Sequence, residues 1–219
     1  MQGAEGQRRR LLIFGTTAMS ERMHFYLDRY AHFDCVGFVV DRQHRACDTH
    51  LGLPVHDYED LVDTCPPMDH DVFVAVGYSQ GNRGREAIYG RLEAGGYQVA
   101  SFFAPSAAIN VDELGTGTVV LDNATVGPCC SIGRGVFVGP NTVAGHHIRV
   151  GDFAYISSSV TLLGGCSIGK RVFLGGGVIV KDGLSIADDT FIGMGSVVTR
   201  SIEVPGVYVG HPARLVRKF

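Results

Sequence analysis

The sequence predicts two architectures in series, a small parallel α/β unit followed by an all-β solenoid, and three observations carry that prediction. From Leu114 to Val198 an aliphatic residue returns at every sixth position through fifteen hexads without a slip. Nine of the fifteen are followed directly by glycine, and the position four after each aliphatic is always small or aliphatic. Ahead of the repeat, three apolar runs, residues 11–14, 35–40 and 71–76, close on Gly15, Asp41 and Gly77, with helix-like segments between them.

Residues 1–10 are polar, include the run Arg8-Arg9-Arg10, and are expected to be disordered. A strand at 11–14, a helix over about 20–30 and a second strand at 35–40 make a βαβ unit. Its first turn, Gly15-Thr16-Thr17-Ala18, lies where a Rossmann-like fold sets a phosphate on a helix N-terminus. Asp41 follows about 26 residues on, where a carboxylate can accept hydrogen bonds from a ribose or a base. The second and third glycines of G-x-G-x-x-G are missing, so a nucleotide-sugar, or no ligand, is expected in preference to a dinucleotide.

Residues 53–55 lead into a short helix at 58–62, a third buried strand at 71–76, the loop 78–85 and a helix ending near 94. Ligands of parallel sheets bind at the carboxyl ends of strands. Gly15, Asp41 and Gly77 are therefore expected on one rim, with Tyr78, Asn82 and Arg85 as further candidates to line it. A strand at 99–103 completes a domain of residues 11–104, and Pro105-Ser106 begins the crossing into a second domain, 105–219.

A six-residue period with two inward positions fits neither an α-helix nor a meander, and internal repeats of this kind signal a solenoid. A short strand carries each aliphatic into a central column, and glycine is expected to supply the corner that a Cβ would strain. Three hexads close one triangular coil, so the repeat makes about five coils. Burying each aliphatic contributes roughly 1.5–3 kcal/mol, enough for the column to offset the ordering of a regular chain. An antiparallel sandwich would not keep phase over this length.

These hexads resemble the left-handed parallel β-helix of the hexapeptide-repeat acyltransferases. The likeness implies acyl-coenzyme A as the acyl donor and assembly as a homotrimer. Residues 11–219 taken together resemble the bacterial sugar acyltransferases of the sialic acid O-acetyltransferase family, whose best-understood members are N-acetyltransferases of nucleotide-linked amino sugars. The resemblance implies a small Rossmann-like domain followed by a left-handed parallel β-helix. It implies that a nucleotide-sugar is held at Gly15, Thr17, Ala18, Asp41, Arg42 and Gly77. Arg42 stands where the family carries a second acid, and Thr16-Thr17-Ala18 where its turn is richer in glycine.

Inside the repeat nearly every outward residue is small or weakly polar, yet two of the nine histidines, His146 and His147, stand there side by side. At the coil spacing His146 falls between Pro128 and Gly164, and His147 between Cys129 and Gly165. The pair Gly164-Gly165 is expected to leave an unfilled groove beside them, and Gly175-Gly176-Gly177 offers bare backbone to a long thin ligand such as pantetheine. Acyl transfer from a thioester needs a base that titrates near neutrality, as imidazole does, and donors aimed at the developing oxyanion.

The resemblance implies that His146 is that general base, since it precedes Val150-Gly151-Asp152-Phe153, the counterpart of the family's I-G-[DE]-F motif, by four residues. It also implies a contact from the Tyr155 phenol to the acyl carbonyl, main-chain contacts to coenzyme A at Gly176 and Met194, and a cap on the last coil at residues 205–213. Where the family places an acid after the base, this chain has His147. A carboxylate there would favour the imidazolium, whereas a neutral His147 can only hydrogen-bond. Asp152 is the candidate for the missing charge.

A net charge of −3 over 219 residues gives no signature of a nucleic-acid or bilayer-surface binder. The run at 11–14 is too short for a signal-peptide core or a membrane span, so a cytoplasmic location is expected. The six cysteines form no C-x-x-C pair, and Cys130 and Cys166 fall in the inward column as small hydrophobes, so neither a metal site nor a disulfide framework is expected. The function the resemblance implies is acetyl-CoA-dependent N-acetylation of a nucleotide-linked amino sugar, in surface-polysaccharide or glycan biosynthesis, with acetyl-CoA as co-substrate. Transfer to a sugar hydroxyl would use the same base, and a non-catalytic nucleotide-sugar-binding scaffold would keep the helix without turnover. A zinc carbonic anhydrase on such a helix needs three histidines around one metal, against two adjacent ones here.

Overall fold

The computed structural model describes residues 9–30, 33–111 and 114–219, which form two compact units. One is the chain up to Gly77 with Ile88–Ala100, the other Tyr78–Ala87 with Ser101–Phe219. The division thus falls after Ala100 and assigns the segment 78–87 to the second unit. Of the ten residues expected to be disordered, 1–8 lie outside the described residues, while Arg9 and Arg10 open the first strand.

The first unit contains β1 (Arg9–Phe14), α1 (Ala18–Tyr30), β2 (Phe33–Val40), β3 (Thr49–His50), β4 (Leu53–Asp57), α2 (Leu61–Thr64) and β5 (His70–Val74). Its sheet runs β3-β4-β2-β1-β5, parallel throughout except where β3 pairs antiparallel with β4. Leu11, Leu12, Ile13, Phe38, Val39 and Val72 are fully buried, as continuous apolar runs are in a sheet covered on both faces. Met23 and Leu27, one helical turn apart, are the buried stripe of α1.

The strand expected at 99–103 is divided. Val99 makes a single parallel bridge to Val72 in the first unit, whereas Phe102–Phe103 pair with Val119–Val120 as the first rung of the solenoid. The backbone explains the division, because Ala100 N–H donates to Val72 and Phe102 N–H to Thr118.

In the second unit two-residue strands stack in parallel into three faces, in register at eighteen-residue spacing. One face carries outward Phe137, Tyr155, Phe173 and Phe191, the next Thr125, Val143, Thr161, Ile179 and Val197, and the third Ser131, Arg149, Ser167 and Ser185. Both inward positions of the hexad line one continuous core, from Val120 and Ala124 to Val198 and Ile202. The solenoid starts earlier than the repeat suggests. Phe103 pairs with Val120 and Ile109 with Val126, so the first coil has seventeen residues and the hexad phase breaks before Leu114.

Glycine plays a different part from the one expected. The left-handed corner is the third residue after each aliphatic, held at φ of about 55–75° from Gly117 to Gly195 by residues as varied as Asn141, His147, Phe153 and Arg171. The glycine directly after the aliphatic instead lies flat against the next coil. A Cβ on Gly151 would sit 2.7 Å from Lys170 N, and one on Gly139 would sit 2.7 Å from the Ser157 carbonyl carbon. Close stacking of coils therefore selects glycine at that position. Gly206–Val209 extends the aromatic face, Arg214–Lys218 folds back antiparallel on it, and Ala213 N–H donates to Val197 at the last coil.

Candidate active site

His146 follows the strand Val143–Ala144 and lies on the edge between the β-branched face and the serine-rich face. Two backbone bonds fix this corner between neighbouring coils, from Gly165 N–H to His146 O at 2.8 Å and from His147 N–H to Pro128 O at 3.1 Å. His147 takes the left-handed corner conformation, with φ of 55°, which histidine tolerates better than β-branched residues. The two imidazoles stand nearly perpendicular, at 88°, and their Nδ1 atoms are 3.1 Å apart, a hydrogen bond in which one ring donates to the other. Both side chains are exposed.

The groove expected to be empty above Gly164 is where the His146 ring rests. A Cβ on Gly164 would overlap that imidazole and would lie 2.5 Å from its Nε2. Gly164 thus gives the ring its seat, with Nδ1 turned to His147 and Nε2 over bare backbone. Asp152 does not supply charge here: it lies on another edge, accepting from Arg134 N–H at 3.1 Å with Lys170 Nζ 3.9 Å away.

Gly176 and Met194 come together on the remaining edge, one coil apart and joined by a bond from Gly195 N–H to Gly176 O at 2.9 Å. That edge and the His146 edge flank the same face, the one bearing Val143 and Ile179. Met194 is 84% exposed. Tyr155 is elsewhere, 7% exposed and stacked between Phe137 and Phe173, with Tyr78 edge-on and the Arg85 guanidinium over the ring. Its surroundings make it packing for the aromatic face, in place of the expected acyl-carbonyl contact.

Asn82 and Arg85, expected to line a nucleotide rim, are buried against the solenoid, donating to Arg171 O at 3.1 Å and Phe153 O at 2.6 Å, and Tyr78 stacks on Phe173. Tyr78, Phe173, Phe191, Val207 and Phe219 line a cavity of about 950 Å³ along this face. Its charged groups pair in part: Arg171 grips Asp189 through two 2.8 Å bonds and also reaches Glu86, Arg83 adds a 3.2 Å contact to Asp189, and Arg217 brings a further positive charge to the lining. The hydrogen bond from Arg171 holds the Asp189 carboxyl below the usual carboxylate range. Among the described residues, no histidine lines this cavity.

In the first unit Gly15, Asp41 and Gly77 follow three adjacent strands, β1, β2 and β5, at their carboxyl ends. Gly15 adopts φ of 118°, its N–H donates to Val39 at 2.8 Å, and a Cβ there would press on Ala75 O at 3.1 Å. Thr17 immediately precedes α1, and Ala18 is its first residue. Asp41 is held by Arg91 at 2.7 Å, and that guanidinium lies over the Tyr58 ring at 4.4 Å. Arg42 pairs with Asp57 and Asp60 at 3.1 and 2.6 Å. The role of Arg91 was not legible from any local motif, since it depends on partners brought close only by folding, whereas the coil spacing had already set Gly164 beside His146.

No protein-family profile matches the chain, and no curated protein sequence does. Solved structures do. PerB from Caulobacter crescentus, in complex with CoA and GDP-perosamine, is 26% identical with a TM-score of 0.84, over 97% of this chain and 98% of that one. A histidine-to-alanine variant of GDP-perosamine N-acetyltransferase from the same organism, also with CoA and GDP-perosamine, gives 27% and 0.85 over 97% of each chain. The acetyltransferase domain of PglB from Neisseria gonorrhoeae FA1090 has the same fold at 23% identity, with a TM-score of 0.84 over 95% of this chain and 100% of that one.

Proposed function

We propose that this chain is an acetyl-CoA-dependent N-acetyltransferase of a nucleotide-linked amino sugar, with His146 as general base. The observation that carries the reading is the seat of His146: an exposed imidazole, oriented through Nδ1 and resting on Gly164, in a chain whose whole length matches an enzyme holding CoA and GDP-perosamine. Nε2 takes the proton from the sugar amine as nitrogen attacks the thioester carbonyl. The tetrahedral intermediate collapses to the amide, the thiolate leaves, and the proton on His146 is available to it.

In this reading the first unit is Rossmann-like and holds the nucleotide through Gly15, Thr17, Ala18 and Gly77 at the strand ends, with Asp41 and Arg42 as the side chains beside it. Arg91 and the Asp57–Asp60 pair fix those two side chains in advance. The solenoid is a left-handed β-helix, and main-chain groups at Gly176 and Met194 bind coenzyme A. Three copies assemble through the face bearing Val143 and Ile179, which are 43% and 41% exposed, so that the His146 edge of one copy meets the Gly176 edge of the next. The enzyme works in the cytoplasm on a glycan precursor; no helix among the described residues is long and apolar enough to cross a membrane.

The test is thiol release from acetyl-CoA with a panel of GDP-, UDP- and dTDP-linked amino sugars, run with wild type and His146→Ala. Turnover on one amino sugar that is lost in the variant is the expected result. Equal turnover in the variant would remove His146 from the mechanism, and no turnover on any amino sugar, with coenzyme A still bound, would favour a hydroxyl acceptor.

A further inference from the structure

A carboxylate beside a catalytic imidazole can only accept a hydrogen bond, which obliges the imidazole to carry its proton on the nitrogen facing it. An imidazole partner imposes no such choice. Across the 3.1 Å Nδ1–Nδ1 contact, His146 can donate to His147 or His147 can donate to His146, with the same heavy-atom geometry in both cases. The two arrangements are not equivalent for catalysis. When His146 donates, its Nε2 has a free lone pair and can take a proton from an amine. When His147 donates, neutral His146 carries its proton on Nε2 and presents no base.

We propose that the His146–His147 pair is a two-state tautomeric switch, in which His147 is the positioning residue that sets how often His146 Nε2 is available as a base. This rests on the reading of His146 as the general base. Two features make Nδ1 of His147 the deciding group. The left-handed corner at φ 55° and the bond from His147 N–H to Pro128 O fix its Cα, while the Gly164 seat fixes the other ring. Interconversion moves one proton along the Nδ1–Nδ1 line and one at each Nε2 through water, so both states are neutral and no atom is gained or lost. A site competent for only a fraction of the time works at that fraction of its full rate. An even division would therefore halve kcat.

His147→Asp separates these states. An aspartate Oδ stands the same number of bonds from Cα as Nδ1 and cannot donate when ionised, so it holds His146 in the competent tautomer. The expected outcome is a rise in kcat of about twofold or more, with KM for acetyl-CoA unchanged. The direct readout is nitrogen NMR of ¹⁵N-histidine-labelled full-length protein, with His147→Asp and His146→Ala used for assignment. Wild type is expected to show both neutral tautomers of His146 at high pH, and His147→Asp only the form protonated on Nδ1. A single Nδ1-protonated form in wild type would overturn the proposal, as would a His147→Asp enzyme no faster than wild type although its tautomer is fixed. Retained turnover in His146→Ala would instead refute the general-base reading, an outcome separable from the tautomer spectra.

Discussion

Gly164→Ala tests the seat of the base. The substitution asks nothing of the backbone: Gly164 is not in the left-handed region, and residues with side chains, His146 and Asp182, occupy the same column one coil away on either side. The new methyl would stand 2.5 Å from His146 Nε2, against ordinary contact at 3.4–4 Å. The ring must therefore move by roughly 1 Å or rotate off its seat, and a displacement of that size costs about 100-fold in rate when it misaligns a reacting group. Replacing glycine by alanine at a compatible conformation stabilises a fold by about 0.4–1 kcal/mol through the unfolded chain. The expected result is a kcat/KM some 100-fold lower with an unchanged or slightly raised Tm. An enzyme with wild-type kcat/KM would show that the position of the His146 ring over Gly164 does not matter to turnover.

Two further substitutions probe the solenoid. Gly151→Ala places a Cβ 2.7 Å from Lys170 N, backbone that cannot swing aside, and should lower the urea midpoint by an amount equivalent to about 1–3 kcal/mol; an unchanged midpoint would mean the coils can separate at no cost. Asp189, whose carboxyl Arg171 holds below its ordinary value, binds its proton more readily unfolded than folded. Its contribution is therefore complete above the ordinary aspartate value of about 3.9 and is lost as pH falls through the lower folded value. Thermal melts between pH 7 and pH 3 should show a steeper acid-side decline in wild type than in Asp189→Asn, and identical slopes would show that the Arg171 pair does not couple to folding.

What the sequence disclosed, and what it withheld, follows from the range of each interaction. The hexad columns were legible because burial repeats locally, and every inward residue from Ala144 to Val180 is in the core. The adjacency of His146 and His147 was legible because both lie on one corner. The glycine after each aliphatic was misread because its constraint comes from a coil eighteen residues away, where Lys170 or Ser157 passes close by. The seventeen-residue first coil was hidden because Phe103 and Ile109 fall outside the hexad phase and are fixed only by pairing with Val120 and Val126. Asp41 and Arg42 gave no sign of their partners, since Arg91, Asp57 and Asp60 lie far along the chain. Arg85 looked like a loop residue available to ligand, yet its guanidinium is buried on the carbonyls of Phe153 and Ala154.

The most direct measurement sets one nucleotide-linked amino sugar against its hydroxyl counterpart, identical but for nitrogen replaced by oxygen, with acetyl-CoA as donor and mass spectrometry of the sugar product. Acetyl transfer to the amine alone, matched by equimolar thiol and lost in His146→Ala, is the result expected of an N-acetyltransferase working through that imidazole. Acetylation of the hydroxyl compound with the amine left untouched would contradict it.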